Sequence, residues 1–232
     1  MNQHPCNTPA ELAQRLAAWT GLRLHQAIAG RGHAVLAVSG GRSPVPLFQA
    51  LRAQPLDWSR VSITLVDERC VPHDHPDSNT ALVREHLLQQ GAAAATFVPW
   101  FDELPATLDD TALQALADAA SQRLATQPWP WDLAILGMGE DGHTASLFPH
   151  AGGLSQALHA SGPVAWTRPL NAPHARLTLT LPALLATREL VLPLIGPAKL
   201  RVYQQARLSE DDTLPISLVL HQHQTPVQVW LA

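Results

Sequence analysis

Residues 33–52 read HAVLAVSGGRSPVPLFQALR, and this stretch decides the fold. The apolar run His33–Val38 has the length of a buried strand and stops at the pair Gly40-Gly41. Pro44 stands where a helix begins, since its fixed φ suits the first turn and its missing N–H is not needed there. The unit is strand, glycine turn, helix, with the helix running through about Arg52. The same order recurs outward in both directions. Upstream, Thr8-Pro9-Ala10-Glu11 predicts a helix start, with Thr8 as N-cap and Glu11 as its capping-box partner, and the helix reaches about Ala29. Downstream, Val61–Val66 is a β-branched strand, and Ser78-Asn79 caps a helix through about Gln89. Asp109–Thr126 is amphipathic and helical. Asp132–Leu136, Arg176–Thr180, Glu189–Ile195 and Val227–Leu231 are strands, with Pro182 and Pro197 opening helices between them. Alternation over nearly the whole chain predicts an α/β fold: a Rossmann-like, mainly parallel sheet with helices on both faces. No shift in composition marks a boundary, so residues 1–232 are expected to form one domain.

Composition narrows the function classes. The chain has 232 residues, 46% hydrophobic and 15% charged, which excludes a mostly disordered chain. The net charge is -4 and no basic block occurs, so nucleic acid is not an expected partner. No apolar run approaches the ~20 residues of a membrane helix, and the N-terminus carries no secretory pattern. A cytoplasmic protein without membrane association is the expectation. The two cysteines, Cys6 and Cys70, rule out a disulfide scaffold and a thiolate zinc site.

In open α/β sheets ligands bind beyond the carboxyl ends of the strands, so the residues placed there carry the function. Ser39-Gly40-Gly41-Arg42-Ser43-Pro44 leads into a helix and offers backbone N–H groups to a phosphate. It matches neither a Walker A loop nor the dinucleotide fingerprint. Asp67-Glu68-Arg69 follows the next long strand and supplies carboxylates and an anion-binding guanidinium. Gly137-Met138-Gly139-Glu140-Asp141-Gly142-His143 follows another. There, a His in a glycine turn beside acids suits general-base work. Lys199 is the single lysine among 15 basic residues and lies just after Gly196-Pro197. With Arg176 it is positioned to meet a phosphate from the side opposite the glycine loop. No GxSxG elbow and no reactive-cysteine setting is present. His73-Asp74-His75-Pro76-Asp77 and His221-Gln222-His223 have metal-like composition. The first lies in a Pro-rich loop without helical spacing, and both are expected to be solvent-exposed with no metal bound.

SGG-x-S-P at residues 39–44, DER-x-V-P at 67–72 with Ser78-Asn79 beyond it, and G-x-G-x-DGHTASLFP at 137–149 together resemble the glucosamine-6-phosphate isomerase/6-phosphogluconolactonase superfamily. The resemblance spans about residues 10–230 and is most specific at DGHTASLFP. Within the superfamily it points to the lactonases. It implies hydrolysis of a phosphosugar lactone, 6-phospho-D-glucono-1,5-lactone, in the oxidative pentose phosphate pathway, with no metal or organic cofactor. Carried over, His143 is the base that activates water, and Asp141 and Asp67 support it or orient the substrate, with the main partner of His143 left open between them. Ser39, Gly40, Gly41 and the Arg42 backbone hold the phosphate with Lys199 and Arg176, and Arg69 touches the phosphate or ring hydroxyls. Many family members carry Ser or Thr where Arg42 stands, so its side chain has no assigned role. Oligomeric state is open, with a monomer favoured. Two alternatives stand beside this reading. The first is a glucosamine-6-phosphate deaminase or aldose–ketose isomerase, which carries a Glu after the His where Thr144–Pro149 has no acid. It also usually carries an aromatic residue where Arg69 stands. The second is a non-catalytic sugar-phosphate-binding module.

Overall fold

The computed structural model describes residues 1–232. Its strands are β1 (Asn2–Pro5), β2 (Ala34–Val38), β3 (Val61–Leu65), β4 (Asp67–Arg69), β5 (Thr96–Phe97), β6 (Leu133–Ile135), β7 (Val164–Thr167), β8 (Arg176–Leu179), β9 (Leu190–Leu194) and β10 (Val227–Leu231). Its α-helices are α1 (Pro9–Arg31), α2 (Val45–Leu51), α3 (Asn79–His86), α4 (Asp110–Leu124), α5 (Leu154–His159), α6 (Leu181–Leu185), α7 (Pro197–Ala206) and α8 (Ile216–His221).

Seven strands form one all-parallel sheet in the order β1-β10-β9-β6-β2-β3-β5. Every residue of β2 and β3 is buried. Side chains alternate between the two faces of a strand, so both faces of the sheet are covered. The apolar residues of these strands and of the flanking helices join in one cluster of 59 buried residues reaching from Leu12 to Trp230. The chain runs β2, β3, β5 toward one edge, then returns to place β6 on the other side of β2. The turns after β2 and β6 therefore open from neighbouring strand ends at a topological switch point, where this architecture leaves a crevice.

Thr8 and Ser78 cap their helices through the side chain, as the sequence predicts. Asp109 and Thr180, read as the first residue of a helix and the last of a strand, cap α4 and α6 in the same way. Glu11 differs by one residue: it accepts from the backbone and side-chain nitrogens of Asn7, not from the Thr8 N–H. Two expectations need correction. Arg176–Thr180 is not part of the parallel sheet: β8 pairs antiparallel with β4 and β7 in a separate three-stranded sheet. Asp67-Glu68-Arg69, read as the residues after a strand, is itself β4. A four-residue alternation such as RLTL cannot announce its partner, since pairing direction is set by what lies across it. β1, β5, β7, α5 and α8 carry too few residues to give a periodic pattern and were not anticipated.

Candidate functional site

The glycine loop, β4, β8, the turn after β6 and the start of α7 line one cavity of about 530 Å³. This is within the ~300–1,000 Å³ usual for small-molecule sites. Ser39, Gly40, Gly41, Asp67, Arg69, His143, Arg176 and Lys199 all face it. Asp141 and Arg42 do not. Asp141 stands behind His143, and Arg42 is exposed at the outside of the loop.

His143 is fixed from two directions. Its Nδ1 lies 2.5 Å from Asp141 Oδ1, which also accepts from the His143 backbone N–H. The ring stacks on Phe148 at 3.9 Å between centroids. Gly139 makes the arrangement possible: a Cβ there would overlap the His143 ring and the Asp141 carboxylate. Burial pushes the Asp141 carboxyl upward, but the hydrogen bond and charge of His143 more than offset this, so it lies below its ordinary value. With Nδ1–H donated to Asp141, Nε2 carries the lone pair and can take a proton.

Asp67 is not the partner of His143. It is buried, accepts from Ser146 Oγ at 2.6 Å and from Asn79 Nδ2 at 3.4 Å, and lies 4.0 Å from Arg176 Nη1. The Asn79 amide also donates to the Asp67 backbone oxygen. Asp67 thus ties β4, the DGHTAS turn and the start of α3 together.

The cations converge on the cavity wall. Arg69 and Arg176 are directly opposite on the antiparallel β4–β8 pair. Like charges facing each other across strands are unfavourable without an anion between them. Each has a buried Nε with no protein partner. Burial lowers the pKa of Arg176, Asp67 acting the other way. Lys199 is half-buried, and burial lowers its pKa against the opposing pull of Glu140. The helix after the glycine loop, α2, has only seven residues, so these side chains, more than a helix dipole, make the site electropositive.

Four residues were not anticipated. Phe148 carries the His143 ring and also meets the Arg176 guanidinium, 4.9 Å from its centroid. Asn79 and Ser146 hold Asp67. Glu68 is fully buried and accepts from the backbone N–H groups of Arg69, Asn79 and Thr80 and from Ser78 Oγ. It caps α3 from a distance of about ten residues in sequence, while burial pushes its pKa up against these donors. Phe148, Asn79 and Ser146 stand inside the motifs quoted above, but their types do not reveal which groups they meet. Cys70 is buried, its thiol pushed up to about 12 by burial, which agrees with a non-nucleophilic role.

The chain matches the family model for glucosamine-6-phosphate isomerases/6-phosphogluconolactonase over residues 7–230. It is 43% identical over 231 residues to a 6-phosphogluconolactonase of Neisseria meningitidis serogroup A, covering 99% of this chain and 98% of the relative. It is 43% identical over 234 residues to a 6-phosphogluconolactonase of Rhizobium meliloti, covering 100% and 98%. A crystal structure of a 6-phosphogluconolactonase from Shewanella baltica superposes with a TM-score of 0.94 at 43% identity, covering 100% of this chain and 98% of that one.

Proposed function

The chain belongs to the glucosamine-6-phosphate isomerase/6-phosphogluconolactonase family, and from that premise we propose how its residues hydrolyse 6-phospho-D-glucono-1,5-lactone to 6-phosphogluconate. The enzyme is a lactone hydrolase of the oxidative pentose phosphate pathway. The observation that carries the residue-level reading is the Asp141-held, Phe148-backed imidazole of His143 at a cavity whose other walls carry Arg69, Arg176 and Lys199.

The phosphate occupies the Ser39–Arg42 turn, held by its backbone N–H groups and the Ser39 hydroxyl, with the Lys199 ammonium and the Arg176 guanidinium completing the charge. Arg69 orients the ring. Binding the remote phosphate places C1 beside His143, so that binding energy fixes the reacting end. His143 Nε2 takes a proton from water as the water oxygen attacks C1, and the carbonyl oxygen becomes an oxyanion. Asp141 stabilises the imidazolium so formed. The tetrahedral intermediate then collapses, the C1–O5 bond breaks, and the proton on His143 passes to O5. The product carboxylic acid ionises. A δ-lactone is an activated ester, so water and one base suffice without a covalent intermediate.

The test uses lactone generated in situ from glucose 6-phosphate and coupled to 6-phosphogluconate dehydrogenase. Wild type should exceed the spontaneous rate and His143→Ala should not. Turnover by His143→Ala at the wild-type rate would remove His143 from the base role.

A further inference from the structure

Residues 71–78 and the residues before β8 meet at a cluster that the lactone site does not use. His73, Asp74, His75, Pro76 and Asp77 were expected to be solvent-exposed. Asp74, Pro76 and Asp77 are, whereas His73 and His75 are partly buried, His73 packing its ring against Phe101 at 5.0 Å. The fold brings His174 to His75 and Asp77 from 97 residues away. One ligand atom from each of His75, Asp77 and His174 lies within 4.8 Å of the other two. Asp77 Oδ2 is 3.0 Å from His174 Nε2 and 4.0 Å from His75 Nδ1. Around a tetrahedral zinc with bonds of about 2.0–2.1 Å, ligand atoms stand about 3.3 Å apart.

Binding at His75 Nδ1 requires that nitrogen to give up the hydrogen bond it accepts from the Asp77 backbone N–H. One further observation favours a ligand. His174 holds a φ of +69, a left-handed conformation that is costly for a residue with a Cβ. Such strain is retained where the side chain must be aimed.

We propose that His75, Asp77 and His174 bind a divalent transition metal of the zinc class, and that the metal ties together the two segments that support Arg69 and Arg176. Two imidazoles and one carboxylate select such ions over magnesium or calcium, which prefer oxygen ligands. The tie is direct: the Asp77 backbone oxygen accepts from Arg69 Nη1 at 2.5 Å, and His174 precedes Arg176 by two residues. Occupancy therefore acts on substrate binding and not on His143. The positive charge of Arg69 opposes the cation, so the expected affinity is micromolar or weaker. The effect on KM rests on the arginine roles proposed above; the binding itself does not.

The experiment is a titration of tag-free full-length protein with Co²⁺, read by its visible absorption bands, with Zn²⁺ as competitor. Wild type should bind one Co²⁺ with imidazole–carboxylate bands that Zn²⁺ abolishes. His174→Ala and Asp77→Asn should lose that spectrum while keeping the wild-type circular dichroism. Zn²⁺ should lower KM about twofold or more in wild type at unchanged kcat, and leave His174→Ala unaffected. Bands that persist in His174→Ala, or no saturable binding at millimolar Co²⁺, overturn the site. Binding with an unmoved KM overturns the link to the arginines.

Discussion

The backbone of Gly40 lies against the side-chain carboxamide of Asn79 with no room for a Cβ between them. Asn79 in turn donates to the backbone oxygen of Asp67. One close approach thus couples the glycine loop after β2 to β4 and the N-terminus of α3.

A methyl group at position 40 must displace Asn79. Gly40→Ala is therefore expected to raise KM about tenfold or more and to cost about 1–3 kcal/mol of stability through overpacking. Steady-state kinetics with urea unfolding would check it. Wild-type KM in a stably folded variant would separate Gly40 from the phosphate.

His143→Asn should lower kcat by about 100-fold or more with KM little changed. Asp141→Asn should also lower kcat, by losing the hydrogen bond that sets the tautomer. Its effect on stability has a defined sign. The Asp141 carboxyl is lowered in the folded state, so its contribution is present above the unfolded value and is lost as pH falls through the folded one. The difference in Tm between wild type and Asp141→Asn should shrink between neutral pH and about pH 3. A constant difference would mean that the pair does not contribute through charge.

Lys199 trades stability for binding. Burial lowers its pKa, so between that value and the unfolded one the unfolded chain binds more protons and stability rises with pH. Lys199→Met should abolish this alkaline rise and leave Tm equal to or above wild type at neutral pH. It should also raise KM about tenfold or more, the scale of a charge-assisted hydrogen bond. In wild type, KM should climb as pH passes through the lowered value. An equal loss on unphosphorylated gluconolactone would show that Lys199 does not act through the phosphate.

Glu68→Ala leaves the buried backbone N–H groups of Asn79 and Thr80 and the partly buried one of Arg69 without this acceptor. At about 1–3 kcal/mol for each unsatisfied group, the loss should reach about 3 kcal/mol or more, read by denaturant unfolding. A loss near zero would mean that water replaces the carboxylate.

Local signals made most of the architecture legible. Thr8 and Ser78 announce helix starts because their side chains cap N–H groups three residues on, within the same short stretch. The parallel strands show as apolar runs because both of their faces are buried. Of the residues singled out for the site, Ser39, Gly40, Gly41, Asp67, Arg69, His143, Arg176 and Lys199 do share one cavity. They were found by their position after strands and by the family resemblance. Arg176, singled out as a cation on a predicted strand and outside the quoted motifs, lines the cavity, but its strand was assigned to the wrong sheet, since RLTL reads the same in either kind.

The sequence by itself determined the alternation of strands and helices, the glycine turns, and the chemistry available at each strand end. All of these are encoded within a few residues, where steric limits and hydrogen bonding act. Only the tertiary structure decided that Asp141 and not Asp67 meets His143, and that Asp67 bonds Ser146 across 79 residues. It alone set Arg69 opposite Arg176 and closed His174 onto Asp77. Such pairings follow from how the two sheets pack, and no local periodicity records which distant side chain will lie across the gap.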